Sequence, residues 1–128
     1  MKPGKTGVKR IIDAAGYSFQ GIRFAWQNEA AFRQELLLAV VLIPLAFFIG
    51  ETTVQIIVLI TPIFLVLVVE LINSAIEAVV DRIGDEPHSL SGAAKDIGSA
   101  AVFMCLVLLA FIWLMILFER FGLSSLKF

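Results

Sequence analysis

The sequence has one cysteine, one histidine and few charged residues. Asp, Glu, Lys and Arg make up only 16% of its 128 residues, and the formal net charge is −1. The single Cys105 excludes a framework of intrachain disulfides. A net charge so close to zero produces no field that would attract nucleic acid. The lone His88 argues against a histidine-rich metal centre.

Charge is absent altogether from three long stretches, residues 36–50, 52–69 and 97–118. The chain is 59% hydrophobic, with a mean hydropathy of +0.94, which is too apolar for a soluble domain of this length. The last stretch alone is long enough to cross a bilayer, which takes about 20 residues. The other two reach that length by continuing into neighbouring residues. We therefore predict an all-α membrane protein of one domain, 1–128, with spans at about 30–49, 53–83 and 95–121.

The segment before the first span has the periodicity of an amphipathic helix over about residues 8–27. Apolar residues recur at steps of three and four from Val8 to Trp26, and polar residues follow the same steps on the other side. A net-basic helix of this kind lies in the membrane interface or packs on other helices, and both can hold together. At the far end of the third span, Trp113 is expected to be an interfacial anchor.

The distribution of basic residues predicts the orientation in the membrane. Residues 1–35 contain six basic residues against three acids, whereas the turn at 50–53 has none. Basic residues favour the cytoplasmic side, so we predict a cytoplasmic N-terminus and, after three spans, a C-terminus on the opposite, outer side of the membrane. Arg120 and Lys127 are a mild signal to the contrary. The six basic residues are Lys2, Lys5, Lys9, Arg10, Arg23 and Arg33.

Polar residues interrupt the second span along one helical face. Glu70, Asn73, Glu77 and Asp81 are separated by three, four and four positions, which stacks them on one side of a helix. At about 1.5 Å per residue from Thr52, Glu70 lies ~27 Å across the membrane. The face therefore begins at the cytoplasmic boundary and continues into the cytosol. That placement suits a site where a lipid headgroup meets a water-soluble reagent.

Two further polar clusters are predicted at the same membrane edge. Carboxylate oxygens such as those of Glu29 and Glu77 are ligands that Mg²⁺ takes. Cations such as Arg10 and Lys95 can neutralise phosphate, and phosphoryl transfer needs mainly a metal, cations and an oriented nucleophile. The clusters are Asn28, Glu29, Arg33, Gln34 and Glu35 at the start of the first span, and Lys95, Asp96 and Ser99 at the start of the third.

Other interpretations of these residues remain open at this point. A carboxylate at a membrane edge is often simply paired with a cation. The more ordinary role for Asn73 is a hydrogen bond to another helix, although a metal or phosphate role is compatible with it. Asp81 and Asp85 are more typical of charges at a helix end. A channel or transporter subunit whose acids line an ion path is the alternative to an enzyme. It predicts acids near the middle of the membrane, whereas here they gather at one edge.

Three motifs resemble the prokaryotic diacylglycerol kinase family, small membrane enzymes unrelated to the soluble lipid kinases. They are NEAAFRQE at 28–35, ELINSAIEAVVDRIG at 70–84 and SGAAKDIGSAA at 91–101. The likeness extends from about Thr6 to Phe121. The NEAAFRQE and DRIG versions look proteobacterial rather than like the branch that phosphorylates undecaprenol.

The resemblance implies a fold, a reaction and a location. It implies a homotrimer of three-span subunits, each with an N-terminal surface helix, in the bacterial inner membrane. The implied reaction transfers the γ-phosphate of ATP directly, in line and with Mg²⁺, to the hydroxyl of diacylglycerol. The product is phosphatidic acid, for phospholipid recycling and biosynthesis. The alternative is an enzyme with the same chemistry that phosphorylates a polyprenol instead of diacylglycerol.

The resemblance also implies roles for individual residues. Glu70 looks like the general base, and Glu29 and Glu77 look like Mg²⁺ ligands. Apart from the resemblance, Asn73 is expected to support them from the same face of the second span. Two departures from the familiar pattern are Phe19 in place of a Trp and Ala93 in place of an Arg. The implied nucleotide contacts are Arg10, Tyr17, Glu29, Glu77, Glu86, Pro87, His88, Lys95 and Asp96. The implied lipid contacts are Ala31, Phe32, Arg33, Gln34, Glu35, Glu70 and Ser99.

Overall fold

The computed structural model describes residues 6–122, which are helical apart from short connections. The helices are α1 (Gly7–Asn28), α2 (Ala30–Ile49), α3 (Thr53–Ile83) and α4 (Ser89–Leu117), and a π-helical turn, Phe118–Gly122, continues α4. Lys2, Lys5 and Lys127, which enter the charge argument, lie outside the described residues. The all-helical prediction is confirmed over 6–122.

Three of the helices are long and apolar enough to cross a membrane. They are Ala30–Ile49, Thr53–Ile83 and the continuous segment Ser89–Gly122. Most of their large apolar side chains are exposed on the single chain, among them Phe48 and Met104. Exposed apolar surface on this scale needs lipid or other protein to cover it. The chain is therefore a multi-pass membrane protein, as predicted.

The third span begins earlier than the sequence indicated. Helix α4 begins at Ser89 rather than at about Lys95, so the connection from α3 is only Gly84–His88. The cause is a cap: the backbone N–H of Leu90 donates to Nδ1 of His88 at 3.0 Å. That bond satisfies one of the free N–H groups at a helix start, and the small residues after it continue the helix.

The opposite end of the bundle has a tight turn between α2 and α3. The N–H of Gln55 donates to Oγ1 of Thr52 at 3.1 Å, and the N–H of Glu51 donates to Oε1 of Gln55 at 2.8 Å. At Gly50 an added Cβ would lie 2.6 Å from Cγ1 of Ile56 and 3.0 Å from the carbonyl oxygen of Ala46. Glycine is therefore required for the chain to reverse direction so closely.

Helix α3 is the central element, with α2 and α4 packed on it. Their buried core includes Ala46, Leu59, Ile63 and Leu109. The expectation that Trp113 is an interfacial anchor is wrong, because its ring is buried and its Nε1 donates to the carbonyl oxygen of Leu59 at 3.0 Å. An amphipathic ring that satisfies its N–H on a neighbouring helix has no need of the headgroup region.

Helix α1 contacts α2 and α3 through its C-terminal end. Ala25 is its one buried residue, whereas Val8, Ile11 and Phe19 are exposed. The corner into α2 is held by Arg33, whose Nη1 donates to the carbonyl oxygen of Trp26 at 2.7 Å. Packing on other helices is thus seen at one end of α1, and the apolar residues nearer its start remain uncovered on the single chain.

Candidate active site

The polar face of α3 passes from buried to exposed along the helix. Glu70 is 4% exposed and Asn73 7%, Glu77 is half-buried and Asp81 is exposed. The four residues share one face because of their helical spacing, and their exposure increases in chain order along that face. Ionisable groups buried in a span are costly and usually functional, which makes Glu70 the first residue to explain.

Glu70 lies against a carboxyl group from the first span. The side chain of Glu35, on α2, approaches that of Glu70, and Glu29 and Glu77 are close enough to interact with Glu70 electrostatically. One carboxyl oxygen of Glu35 is buried and has no hydrogen-bond partner within residues 6–122. Helices α2 and α3 thus bring two acids together where the apolar part of the bundle ends.

Glu29 lies at the corner between α1 and α2 and faces the outer part of the same acidic cluster. Burial raises the pKa of Glu29 above its ordinary value, and the negative charges of Glu77 and then Asp81 raise this pKa further. The corner therefore brings Glu29 close enough to Glu77 and Asp81 to interact with them electrostatically. The metal role expected of Glu29 and Glu77 stays a prediction. A divalent cation at this point would relieve their repulsion.

Asn73 joins the buried and exposed parts of the face. Its Nδ2 donates to Oε1 of Glu77 at 3.3 Å. The two residues are one helical turn apart, so the bond orients the Glu77 carboxylate from its own helix. The bond lies within α3, whereas the sequence favoured an interhelical hydrogen bond for Asn73. The supporting role of Asn73 in the site stays a prediction.

Lys95 and Asp81 form an ion pair between α4 and α3. Nζ of Lys95 lies 2.7 Å from Oδ1 of Asp81, and both side chains are partly exposed. Sequence reasoning treated Asp81 as a helix-end charge and Lys95 as a phosphate contact, without joining them. Their pairing keeps a cation at the outer rim of the acidic cluster.

The connection between α3 and α4 borders two open clefts of about 550 and 570 Å³. Glu86, Pro87 and His88 line both, and Lys95 lines the second. Of the implied nucleotide contacts, Arg10 and Tyr17 lie elsewhere, on exposed positions of α1, and Asp96 is exposed on α4. A single chain thus brings together the loop residues and Lys95, but not all of the implied nucleotide set.

The implied lipid contacts do not share one surface on the single chain. Phe32 is buried, Arg33 is bonded to Trp26, and Glu35 lies beside Glu70. Ala31 and Gln34 are exposed on α2, and Ser99 is exposed on α4. Only Glu35 and Glu70 are therefore brought together directly.

Two carboxylates suit a magnesium ion that also takes phosphate oxygens. Within residues 6–122 no group of three or more acid, His or Cys side chains is arranged to hold a metal by itself. Mg²⁺ is commonly bound by one or two carboxylates together with the phosphates of a nucleotide. The electrostatic interaction of Glu29 with Glu77 is consistent with that second arrangement.

Comparison with known proteins places the chain in a family. Residues 16–117 match the sequence model of the prokaryotic diacylglycerol kinases. The chain is 53% identical to a diacylglycerol kinase of Haemophilus influenzae over 113 residues, 88% of this chain and 96% of the relative. It is 48% identical to one of Escherichia coli K12 over 95% of this chain and all of the relative, and 51% identical to one of Pseudomonas aeruginosa over 89% and 93%. The chain belongs to the prokaryotic diacylglycerol kinase family.

Membership of the diacylglycerol kinase family confirms the resemblance drawn from the three motifs, all of which lie within the matched residues. Sequence reasoning nevertheless missed Gly98, which contacts Asn73 from α4. The available signal was that Gly98 is the single glycine in the charge-free stretch 97–118.

Proposed function

We propose that this protein transfers the γ-phosphate of ATP to the free hydroxyl of diacylglycerol at the cytoplasmic face of the bacterial inner membrane. The product is phosphatidic acid, which returns diacylglycerol to phospholipid synthesis. Support comes from the family and from relatives named diacylglycerol kinase that align over nearly their whole length.

The observation that carries the proposal is the position of Glu70. This carboxyl is buried at the point where the apolar part of α3 gives way to its acidic face, next to Glu35 and within the influence of Glu29 and Glu77. In the proposed reaction a lipid hydroxyl at the headgroup level would approach this buried carboxyl from the membrane. The acids further along α3 are on the side from which a nucleotide approaches.

In the proposed mechanism Glu70 is the general base. Its carboxylate accepts the proton of the diacylglycerol hydroxyl as that oxygen attacks the γ-phosphorus in line with the leaving ADP oxygen. The new P–O bond forms as the bond to ADP breaks, and the proton remains on Glu70 until it passes to water. General base catalysis of this kind contributes about 10²–10⁴ in rate.

Glu29 and Glu77 would hold the Mg²⁺ that accompanies ATP, and the ion would neutralise charge on the phosphates. Lys95 and Arg10 would supply further positive charge. Lys95 is paired with Asp81 in the present structure, so it would have to exchange that carboxylate for phosphate. Tyr17, Glu86, Pro87, His88 and Asp96 complete the proposed nucleotide contacts, and 31–35 and Ser99 the lipid contacts.

The proposal includes a homotrimer with α1 on the membrane surface, an N-terminus in the cytoplasm and a C-terminus in the periplasm. A three-span chain is too slender to enclose a nucleotide and a lipid. Its exposed apolar faces are surfaces that further subunits can cover. Native mass spectrometry from detergent micelles tests this directly: we expect a mass of three chains, and a monomeric active enzyme would contradict it.

The acceptor assay tests the reaction itself. Purified protein in bilayers is given Mg·ATP labelled on the γ-phosphate, with either diacylglycerol or a polyprenol. Transfer of label to diacylglycerol is the expected result. Transfer only to the polyprenol would change the acceptor, and ion conductance without transfer would replace the enzyme with a channel.

A further inference from the structure

Gly98 lies where helix α4 passes over the buried Asn73 of α3. A Cβ added to Gly98 would overlap Oδ1 of Asn73 and lie 3.1 Å from its Cγ. Asn73 is 7% exposed, and its Oδ1 is buried without a conventional hydrogen-bond partner in the part of the chain that the structure describes. The side-chain amide thus occupies the space that the missing side chain leaves.

The two ends of this amide have different neighbours. The nitrogen donates to Oε1 of Glu77, and a carboxylate only accepts from it, which decides which end is nitrogen. The oxygen lies against the position that a Cβ of Gly98 would take, where glycine has a hydrogen. Such Cα–H···O contacts recur between helices. Since the amide is planar, placing its oxygen also places the N–H that reaches Glu77.

We propose that Gly98 is a positioning residue for the carboxylate of Glu77 and that it acts through Asn73. Glycine at this position lets the amide stand in the plane that orients Glu77 toward the cation it would hold with Glu29. The inference rests on the proposed function, because that function gives Glu77 its metal. Partners of metal-bound side chains commonly change affinity or activity by about 10–100-fold when they are lost.

The geometry separates this role from a general packing role. The atom that a Cβ at 98 would meet is the end of a side chain, which can rotate away. At Gly50, by contrast, a Cβ would also meet backbone atoms, the oxygen of Ala46 at 3.0 Å and the nitrogen of Ile56 at 3.1 Å. Gly98→Ala is therefore expected to fold while it turns the Asn73 amide away from Glu77.

The first test is the Mg²⁺ dependence of Gly98→Ala in the full-length protein. We expect the Mg²⁺ concentration for half-maximal rate to rise about tenfold, with far-UV circular dichroism and thermal midpoint close to those of the wild type. Gly122→Ala is the control, since Gly122 ends the same helical segment far from the acidic cluster, and its added Cβ meets only the Phe118 ring at an ordinary 3.9 Å. Its Mg²⁺ dependence is expected to stay at the wild-type value.

The second test asks whether Gly98 acts through Asn73. In Gly98→Ala combined with Asn73→Ala the overlap is gone, because Cβ of residue 73 and the new Cβ lie 3.8 Å apart. The double variant and Asn73→Ala alone should then show the same Mg²⁺ dependence. Two losses that multiply would show independent effects and overturn the proposal. If Gly98→Ala alone does not fold, the Asn73→Ala variant still tests the inference. A Mg²⁺ dependence of Asn73→Ala equal to that of the wild type would contradict it.

A binding measurement separates failure of this inference from failure of the proposed function. Electron paramagnetic resonance follows Mn²⁺ binding with a non-hydrolysable ATP analogue, without any lipid acceptor. Weaker Mn²⁺ binding in Gly98→Ala supports the inference whichever lipid is phosphorylated. An active wild type whose Gly98→Ala variant binds Mn²⁺ unchanged overturns the inference and leaves the kinase proposal intact. Absence of phosphate transfer by the wild type would count against the proposed function alone.

Discussion

Glu70 carries an ionisable group into a region that is otherwise apolar. Its neighbours come from three directions, with Glu35 on α2, Glu77 on its own helix and Glu29 at the α1–α2 corner. Helical spacing alone put Glu70 and Glu77 on one face. The contact with Glu35 was not contained in that spacing, because it depends on how α2 and α3 are aligned.

Replacing Glu70 with Gln removes the proposed proton acceptor and keeps the size of the side chain. We expect kcat to fall by about 10²–10⁴, with binding of Mg·ATP little changed. Initial rates with saturating diacylglycerol and ATP measure the effect, and circular dichroism checks the fold. Near-normal turnover would exclude Glu70 as the base.

Glu77→Gln should act chiefly on the metal and nucleotide. The variant keeps a group that can bond to Asn73 but loses the negative charge, so we expect the Mg²⁺ and ATP concentrations for half-maximal rate to rise by about 10–100-fold. Glu51→Gln is the control, since it removes one carboxylate at the opposite end of the bundle, where Glu51 pairs with Arg120 at 3.3 Å. Equal effects of the two variants would argue against a local role for Glu77.

At the scale of the helices, α3 is joined to α4 at both ends by polar contacts. Lys95 pairs with Asp81 near the acidic cluster, and Trp113 bonds to Leu59 near the other end. The first pair is partly exposed and contributes little to stability. The second is buried in an apolar environment and holds the two helices in register.

Trp113→Phe tests that register. The variant keeps an aromatic ring but loses the N–H, leaving the helix–helix contact weaker by about 1 kcal/mol or less. We expect a lower thermal midpoint in detergent with activity largely retained. Trp26→Phe, at a more exposed ring on α1, serves as the comparison and should have the smaller effect. An unchanged midpoint in Trp113→Phe would mean that the bond adds nothing to stability.

At the scale of the whole molecule, the acidic cluster exists only because the α1–α2 corner is folded against α3. The raised pKa of Glu29 results from burial there and from the approach of Glu77 and Asp81. Because a proton and a cation compete for the same carboxylate, protonation of Glu29 should weaken cation binding.

This competition gives an expected pH dependence. With a raised pKa, Glu29 takes up its proton at a higher pH than an ordinary glutamate. The Mg²⁺ half-saturation should therefore increase as the pH falls from neutral through that range. In Glu29→Gln this component should be absent, although binding is weaker at every pH. Parallel pH profiles of Mg²⁺ half-saturation in the two proteins would show that Glu29 is not involved.

Hydrophobic length and helical periodicity determined the three spans and the shared face of Glu70, Asn73, Glu77 and Asp81, because both are local properties of the chain. The three motifs determined the family. The homotrimer, the orientation and the nucleotide set remain predictions. Tertiary structure decided that Glu35 meets Glu70, that Lys95 pairs with Asp81, that Trp113 is buried and that Gly98 makes room for Asn73. Each of these contacts depends on how two helices are aligned along their lengths. Periodicity within one helix is a local property and does not determine that alignment.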